Sequence, residues 1–220
     1  MATSDISAVE AAIAQPLKEG DYTDYLPKSN SYASIVKVDE VKERFTYADY
    51  CTWEEDVRYE LIDGIPVVLW APTLQHQRVL RKFIRIIDTF LDDKPCEMFF
   101  APSDVRLNHL EKDDNVFQPD LYVVCDEKKL EDGKACCGAP DFVIEILSPS
   151  TARYDLFLKY QRYLKYGVRE YWIIDPDANK IFAFVFEDEN FKMMTFEKTE
   201  TITSRDLKGL SINLAEIFSD

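Results

Sequence analysis

Asp141-Phe142-Val143-Ile144-Glu145-Ile146-Leu147 is an apolar run with a carboxylate near its centre. Side chains alternate between the two faces of a strand, so Phe142, Ile144 and Ile146 share one face and Val143, Glu145 and Leu147 the other. Glu145 therefore lies between two apolar neighbours on its own face. The run predicts a buried strand, and a charge inside one must be met by a cation or by hydrogen bonds. The competing reading is an edge-strand glutamate facing solvent, although such positions usually have polar neighbours.

Upstream, Phe117-Gln118-Pro119-Asp120-Leu121-Tyr122-Val123-Val124 places a second carboxylate in an apolar run. Pro119 has no amide hydrogen and favours a strand start or a bulge, where side chains are re-aimed; a Pro-Asp pair also serves as a plain turn. Downstream, Lys159 follows in Asp155-Leu156-Phe157-Leu158-Lys159-Tyr160. On a helix, Leu156, Tyr160 and Tyr163 form the inward stripe and Lys159 borders it. A surface pair with Asp155 at i−4 fits the same spacing. Two carboxylates converging in a dry site cannot both ionise without a counter-ion. A divalent metal on oxygen ligands, with the lysine close by, resolves that conflict and suits phosphodiester hydrolysis.

Around these runs the pattern predicts a short helix from the N-cap Thr46 to Asp56, then a hairpin over Tyr59 to Leu69 turning at Asp63-Gly64. After Pro72-Thr73 comes a helix of about 17 residues, its apolar positions Val79, Leu80, Phe83, Ile84, Ile87, Phe90 and Leu91 recurring at helical spacing. Strands are expected over Ser103–Leu110, Gln118–Cys125 and Asp141–Leu147. A second helix, capped by Ser150 or Thr151, should stop near Gly167. Strands Tyr171–Ile174, Ile181–Phe186 and Phe191–Phe196 follow, the first two joined by a turn at Asp175–Asn179. The segment Ile202 to Asp220 reads as a short helix or strand completing the domain. This order predicts an α/β fold, one mixed β-sheet flanked by helices, over residues 43–220. Residues 1–42, with Pro16, Gly20, Pro27 and a helical candidate at Ala8 to Ala14, read as an N-terminal extension, partly disordered or packed on the core.

A chain of 220 residues can bury a sizeable core, and 46% hydrophobic with 30% charged residues fits a soluble globular protein. No run approaches the roughly 18 apolar residues of a membrane span, and Met1 to Pro16 lacks a secretory pattern. A cytoplasmic protein is expected. Its five cysteines, an odd number, read as reduced thiols. Cys125, Cys136 and Cys137 lack a C-x-x-C pair, and the histidines are His76 and His109 alone, which disfavours zinc. The net charge of −15 means that a nucleic-acid binder needs a local positive patch. Arg78, Arg81, Lys82 and Arg85, at i, i+3, i+4 and i+7, supply an outward stripe. It is a candidate nucleic-acid surface and equally a solvated face or a dimer contact.

Several further segments carry a resemblance. They are Tyr59-Glu60-Leu61-Ile62-Asp63-Gly64, Ala71-Pro72-Thr73 with His76, Pro119-Asp120-Leu121, Gly138 through Thr151, Asp155 with Lys159 and Tyr163, and Gly167 through Pro176. In this order they resemble the Uma-type family of restriction endonuclease-like proteins, a branch of the PD-(D/E)XK nuclease superfamily, over roughly Phe45 to Phe196. The resemblance implies a restriction endonuclease-like core and a Mg²⁺-dependent nuclease, with Mn²⁺ as a substitute, acting on nucleic acid and foremost on DNA. Asp120, Glu145 and the carbonyl of Ile146 would hold the metal. Lys159 would serve catalysis, because the superfamily's usual lysine position falls on Leu147. Glu60 would be an auxiliary acid, while His76 suits either the site or a capping and packing role. A homodimer that cuts both strands fits this picture. The competing reading is a catalytically inactive nuclease-like scaffold acting through dimerisation or protein partners, which the overall acidity and Leu147 favour.

Overall fold

The computed structural model describes residues 44–53, 57–147, 159–187 and 190–219. In chain order they form helix α1 (Tyr47–Tyr50), strands β1 (Tyr59–Ile62) and β2 (Ile65–Val68), and helix α2 (Leu74–Leu91). Strands β3 (Glu97–Phe100), β4 (Asp104–Arg106), β5 (Val116–Phe117) and β6 (Leu121–Val124) follow, then a 3₁₀ turn at Glu127–Leu130. Next come β7 (Ala135–Cys137), β8 (Phe142–Ile146), helix α3 (Tyr160–Tyr166), β9 (Glu170–Asp175), β10 (Lys180–Glu187) and β11 (Asn190–Glu197). A ribbon of β12 (Thr201–Thr203) and β13 (Ser211–Asn213) leads into helix α4 (Leu214–Ile217).

The apolar run around Glu145 is β8, inside a six-stranded sheet of order β11-β10-β9-β8-β6-β3. β8 runs parallel to β9 and antiparallel to β6. Every residue of β8 is buried, and its faces divide as the alternation predicts. Phe142, Ile144 and Ile146 join Leu121, Val123, Trp172 and Ile174 under α2, whose Val79, Leu80, Phe83, Ile87 and Leu91 supply the facing stripe. Val143 lies on the opposite face with Tyr122, Tyr171, Ile173 and Tyr163 of α3. A second sheet, of order β2-β1-β5-β4-β7, packs there through Ile62, Val67, Val105 and Phe117. The predicted α/β fold of mixed sheet and flanking helices is therefore present, but the strands are divided between two main sheets instead of lying in one.

Local signals explain the joints. β1 and β2 turn at Asp63-Gly64 with φ of 48° and 79°, the left-handed pair that a two-residue hairpin needs. A side chain at Gly64 would come within 2.9 Å of the Phe45 carbonyl, so glycine is required on two counts. Helix α3 ends where Gly167 takes φ 92° and its amide, with that of Val168, returns to Tyr163. β9 and β10 turn at the predicted Asp175–Asn179 segment, where the Asp175 carboxylate accepts the amides of Asp177 and Ala178. The chain after Ile202 completes the core, burying Leu207, Leu210, Ile212, Leu214 and Ile217 under α2.

Other expectations change. β3, β5 and β7 have no counterpart in the expected order. Only Asp104–Arg106 of the expected 103–110 strand pairs, because Asn108 turns the chain and receives the Asn115 amide. The five cysteines are not all reduced thiols: Cys96 and Cys125 form a disulfide, their Cα atoms 4.0 Å apart. The reason is register, since Glu97 pairs with Val124 and one further step sets Cys96 opposite Cys125. Cys51, Cys136 and Cys137 are free thiols. Among the described residues no helix is long and apolar enough to cross a membrane. The extension over residues 1–42, the capping Ser150 or Thr151, and Asp155 and Leu156 lie outside the described residues.

Candidate active site

The antiparallel register of β6 and β8 pairs Leu121 with Ile144, so one step further brings Asp120 opposite Glu145. Pro119 stops β6 at this point, and β8 continues without its neighbour. The Ile146 amide, which would have served the ladder, donates instead to Asp120 Oδ2 at 2.7 Å. On the other side the Asp120 carbonyl accepts the Ala101 amide at the end of β3. Both carboxylates thus occupy a position where the pairing of β6 with β8 has just ceased, while β3 and β9 still hold the outer sides.

Two helices close over this position. The Thr73 hydroxyl accepts the His76 amide and caps α2, which sets His76 in the first turn facing the sheet. His76 Nε2 lies 3.0 Å from Asp120 Oδ2. The carboxylate favours the tautomer with hydrogen on Nε2, leaving the buried Nδ1 as an acceptor with no hydrogen-bond partner among the described residues. From the other face, Lys159 Nζ reaches Glu145 Oε1 and Glu60 Oε1, each at 2.9 Å. The Tyr163 hydroxyl donates to the same Glu145 oxygen at 2.9 Å. Glu60, Glu145 and Lys159 are 0%, 3% and 3% exposed, so this ion pair sits in a dry environment. The helix is held there by Arg162, whose guanidinium pairs with Asp63 of the β1–β2 turn.

Burial, with the negative charges of Glu145 and Glu60 beside it, raises the Tyr163 hydroxyl well above its ordinary value. It remains a donor through the whole working range. Glu60 also accepts the Gln118 amide at 2.7 Å, which ties β1 to the segment before Asp120. The Gln118 side chain receives Arg58 and donates to Asp104 and the Tyr50 hydroxyl. Burial raises the Asp104 carboxyl, and the hydrogen bonds from Gln118 and Tyr50 oppose it.

His76, Asp120, Glu145, Ile146 and Lys159 line one cleft of about 520 Å³, and Arg58, Arg78 and Arg81 also line it. Glu60 is not among the lining residues; it touches Lys159 from behind. Of the predicted basic stripe, Arg78 and Arg81 are exposed on the cleft and Arg85 is exposed away from it. Lys82 is a correction. It does not belong to an outward stripe but is half-buried, with Nζ donating to the Ile217 carbonyl and to Ser219. A helix leaves its last carbonyls without intrahelical partners, and this ammonium satisfies that of Ile217 at the end of α4, with the Ser219 carbonyl just beyond it. Tyr163 is the contact that sequence reasoning left out of the site, and His76, open between the site and a capping role, meets Asp120 from the capped first turn of α2. Tyr163 had a usable signal, four residues after Lys159 on one helical face.

The donor chemistry suits a hard cation. Among the described residues no cluster of three or more His, Cys, Asp or Glu side chains is arranged to hold a metal. Mg²⁺ does not require one, since it is commonly held by one or two carboxylates with water completing its octahedron. Asp120 fits that need: both of its described side-chain bonds fall on Oδ2, and its side chain is 18% exposed and lines the cleft.

A family model described as "Uma2: Putative restriction endonuclease" matches residues 46–215. The "Uncharacterized protein sll1609" of Synechocystis sp. (strain ATCC 27184 / PCC 6803 / Kazusa) is 28% identical over 140 residues, covering 62% of this chain and 77% of its own. The "Uncharacterized protein slr1290" of the same strain is 23% identical over 171 residues, 76% and 86% of the two chains. Among solved structures, that of "a putative nuclease belonging to DUF820" from Anabaena variabilis ATCC 29413 superposes with a TM-score of 0.66 at 20% identity. The match covers 80% of this chain and 98% of that one, and establishes a shared fold.

Proposed function

The chain belongs to the Uma2 family, and from that premise we propose that it is a Mg²⁺-dependent nuclease hydrolysing phosphodiester bonds in DNA, with Mn²⁺ as a working substitute. The observation that carries the reading is the convergence of Asp120, Glu145 and Lys159 on one cleft that Arg78 and Arg81 also line. Asp120, Glu145 and the Ile146 carbonyl are the residues that would hold the ion. Bound there, the ion would polarise the scissile phosphate and lower the pKa of a coordinated water.

The chain's own groups do the remaining work. The Ile146 amide and His76 fix the Asp120 carboxylate through Oδ2, which sets its orientation before any ligand arrives. Lys159, clamped by two glutamates, offers a fixed positive charge on the cleft wall to negative charge growing on phosphoryl oxygens. Tyr163 holds Glu145 from the side away from solvent. Arg78 and Arg81 give phosphates a local attraction that the net charge of −15 does not supply. Self-association belongs to the same reading, since a two-fold pair would offer a separate cleft to each strand of an opened duplex. A monomer in sedimentation equilibrium would remove that part alone.

Reversing both arginines, Arg78→Glu with Arg81→Glu, is expected to weaken DNA binding more than tenfold at low salt. The slope of log K against log salt should flatten by about 1.5, the share of two phosphate contacts. Fluorescence anisotropy across a salt series measures it. An unchanged slope would show that this face does not meet the phosphates.

A further inference from the structure

Three large apolar side chains line the cleft in the open: Trp70 and Leu74 are 74% exposed and Phe100 is 49% exposed. The chain's three tryptophans are treated differently by the fold. Trp53 packs against the rings of Phe45, Tyr50 and Tyr59, and Trp172 against Phe83 and Phe142. Among the described residues Trp70 makes no ring or cation–π contact, and Phe100 makes none either. Trp70 stands between β2 and α2, and Phe100 ends β3 beside Ala101, whose amide reaches Asp120. Two unspent π faces from separate elements therefore share the cleft with the carboxylate–lysine centre and with Arg78 and Arg81.

The charge beside the rings selects the occupant. Guanidinium groups attract a phosphate backbone, and aromatic rings stack on bases whose faces are open. Inside a duplex those faces are already covered by neighbouring bases. We propose that Trp70 and Phe100 are base-stacking platforms, and that the cleft takes single-stranded DNA with its phosphates on Arg78 and Arg81. The chemistry expected of the bound strand rests on the nuclease reading; the binding claim does not.

Binding is measured by anisotropy in EDTA, so that no turnover occurs. The probes are a fluorescein-labelled oligothymidylate, an abasic oligomer of equal length and a hairpin duplex. Wild type should prefer oligothymidylate to the duplex. Trp70→Ala should weaken oligothymidylate binding about tenfold, within the range for loss of one stacked base, and Phe100→Ala should weaken it as well. Binding of the abasic oligomer and of the duplex should stay within about twofold, while Trp70→Phe restores most of the loss. Equal oligothymidylate binding by wild type and Trp70→Ala, or equal losses on the abasic and thymidine probes, would overturn the proposal. So would a dimer that Trp70→Ala converts to monomer without changing oligonucleotide binding, because the patch would then belong to a second copy. Trp70-dependent binding without metal-dependent cleavage would support the stacking platform and overturn the nuclease reading alone. Cleavage with Trp70-independent binding would do the reverse.

Discussion

Lys159→Met is expected to destabilise the protein by about 3–5 kcal/mol, the cost of leaving buried carboxylates without their cation. The ammonium lies 2.9 Å from both Glu60 and Glu145, and all three groups are almost wholly excluded from solvent. Methionine keeps most of the side-chain volume, so a cavity cannot account for the loss. Urea unfolding followed by circular dichroism would report it as a fall in midpoint at constant slope. Adding Glu60→Gln and Glu145→Gln should recover much of the stability, because the uncompensated charge is then gone. A loss below about 1 kcal/mol, typical of a surface pair, would mean that the pair is solvated. Lys159 is thus tied to the fold as well as to the proposed chemistry, and its activity data must be read beside its stability.

Asp120→Asn separates the two. The amide oxygen can still accept the Ile146 amide hydrogen, so stability should change by about 1 kcal/mol or less. The charge that would hold a divalent cation is lost, however, and kcat/KM for DNA cleavage should fall on the order of a thousandfold. Calorimetric titration with Mn²⁺ gives a second reading that does not depend on turnover. Weakened Mn²⁺ binding at unchanged stability is the expected pair of results. Unaltered activity would remove Asp120 from the site.

What could be read from the chain before its structure follows from the range of the interactions. The two faces of β8 and the buried stripe of α2 were legible because a strand or a helix repeats its environment every second residue or every turn. The turn at Asp63-Gly64 and the stop at Gly167 were legible because left-handed backbone has few suitable residues. β5 and β7, of two and three residues, are too short to show a period, and β3 lies on a sheet edge with mixed burial. The Cys96–Cys125 bond was illegible for the same reason, since it depends on the register of a strand that the pattern did not reveal. At the site, Asp120, Glu145 and Lys159 stood out as charges bordering apolar runs. His76 did not, because its meeting with Asp120 depends on how the first turn of α2 crosses the end of β6. Lys82 misled for the converse reason: helical spacing marks a face but cannot show that another helix end lies over it.

The central claim is that Asp120 and Glu145, set opposite each other by the register of β6 and β8, make this cleft a metal-dependent nuclease. It is tested most directly by incubating wild type and an Asp120→Ala, Glu145→Ala double variant with plasmid and single-stranded DNA in Mg²⁺, Mn²⁺ or EDTA. The account predicts cleavage by wild type with either metal, none in EDTA and none by the folded variant. Cleavage that survives in the variant, or a wild type that neither cuts DNA nor binds Mn²⁺ in calorimetry, would contradict it.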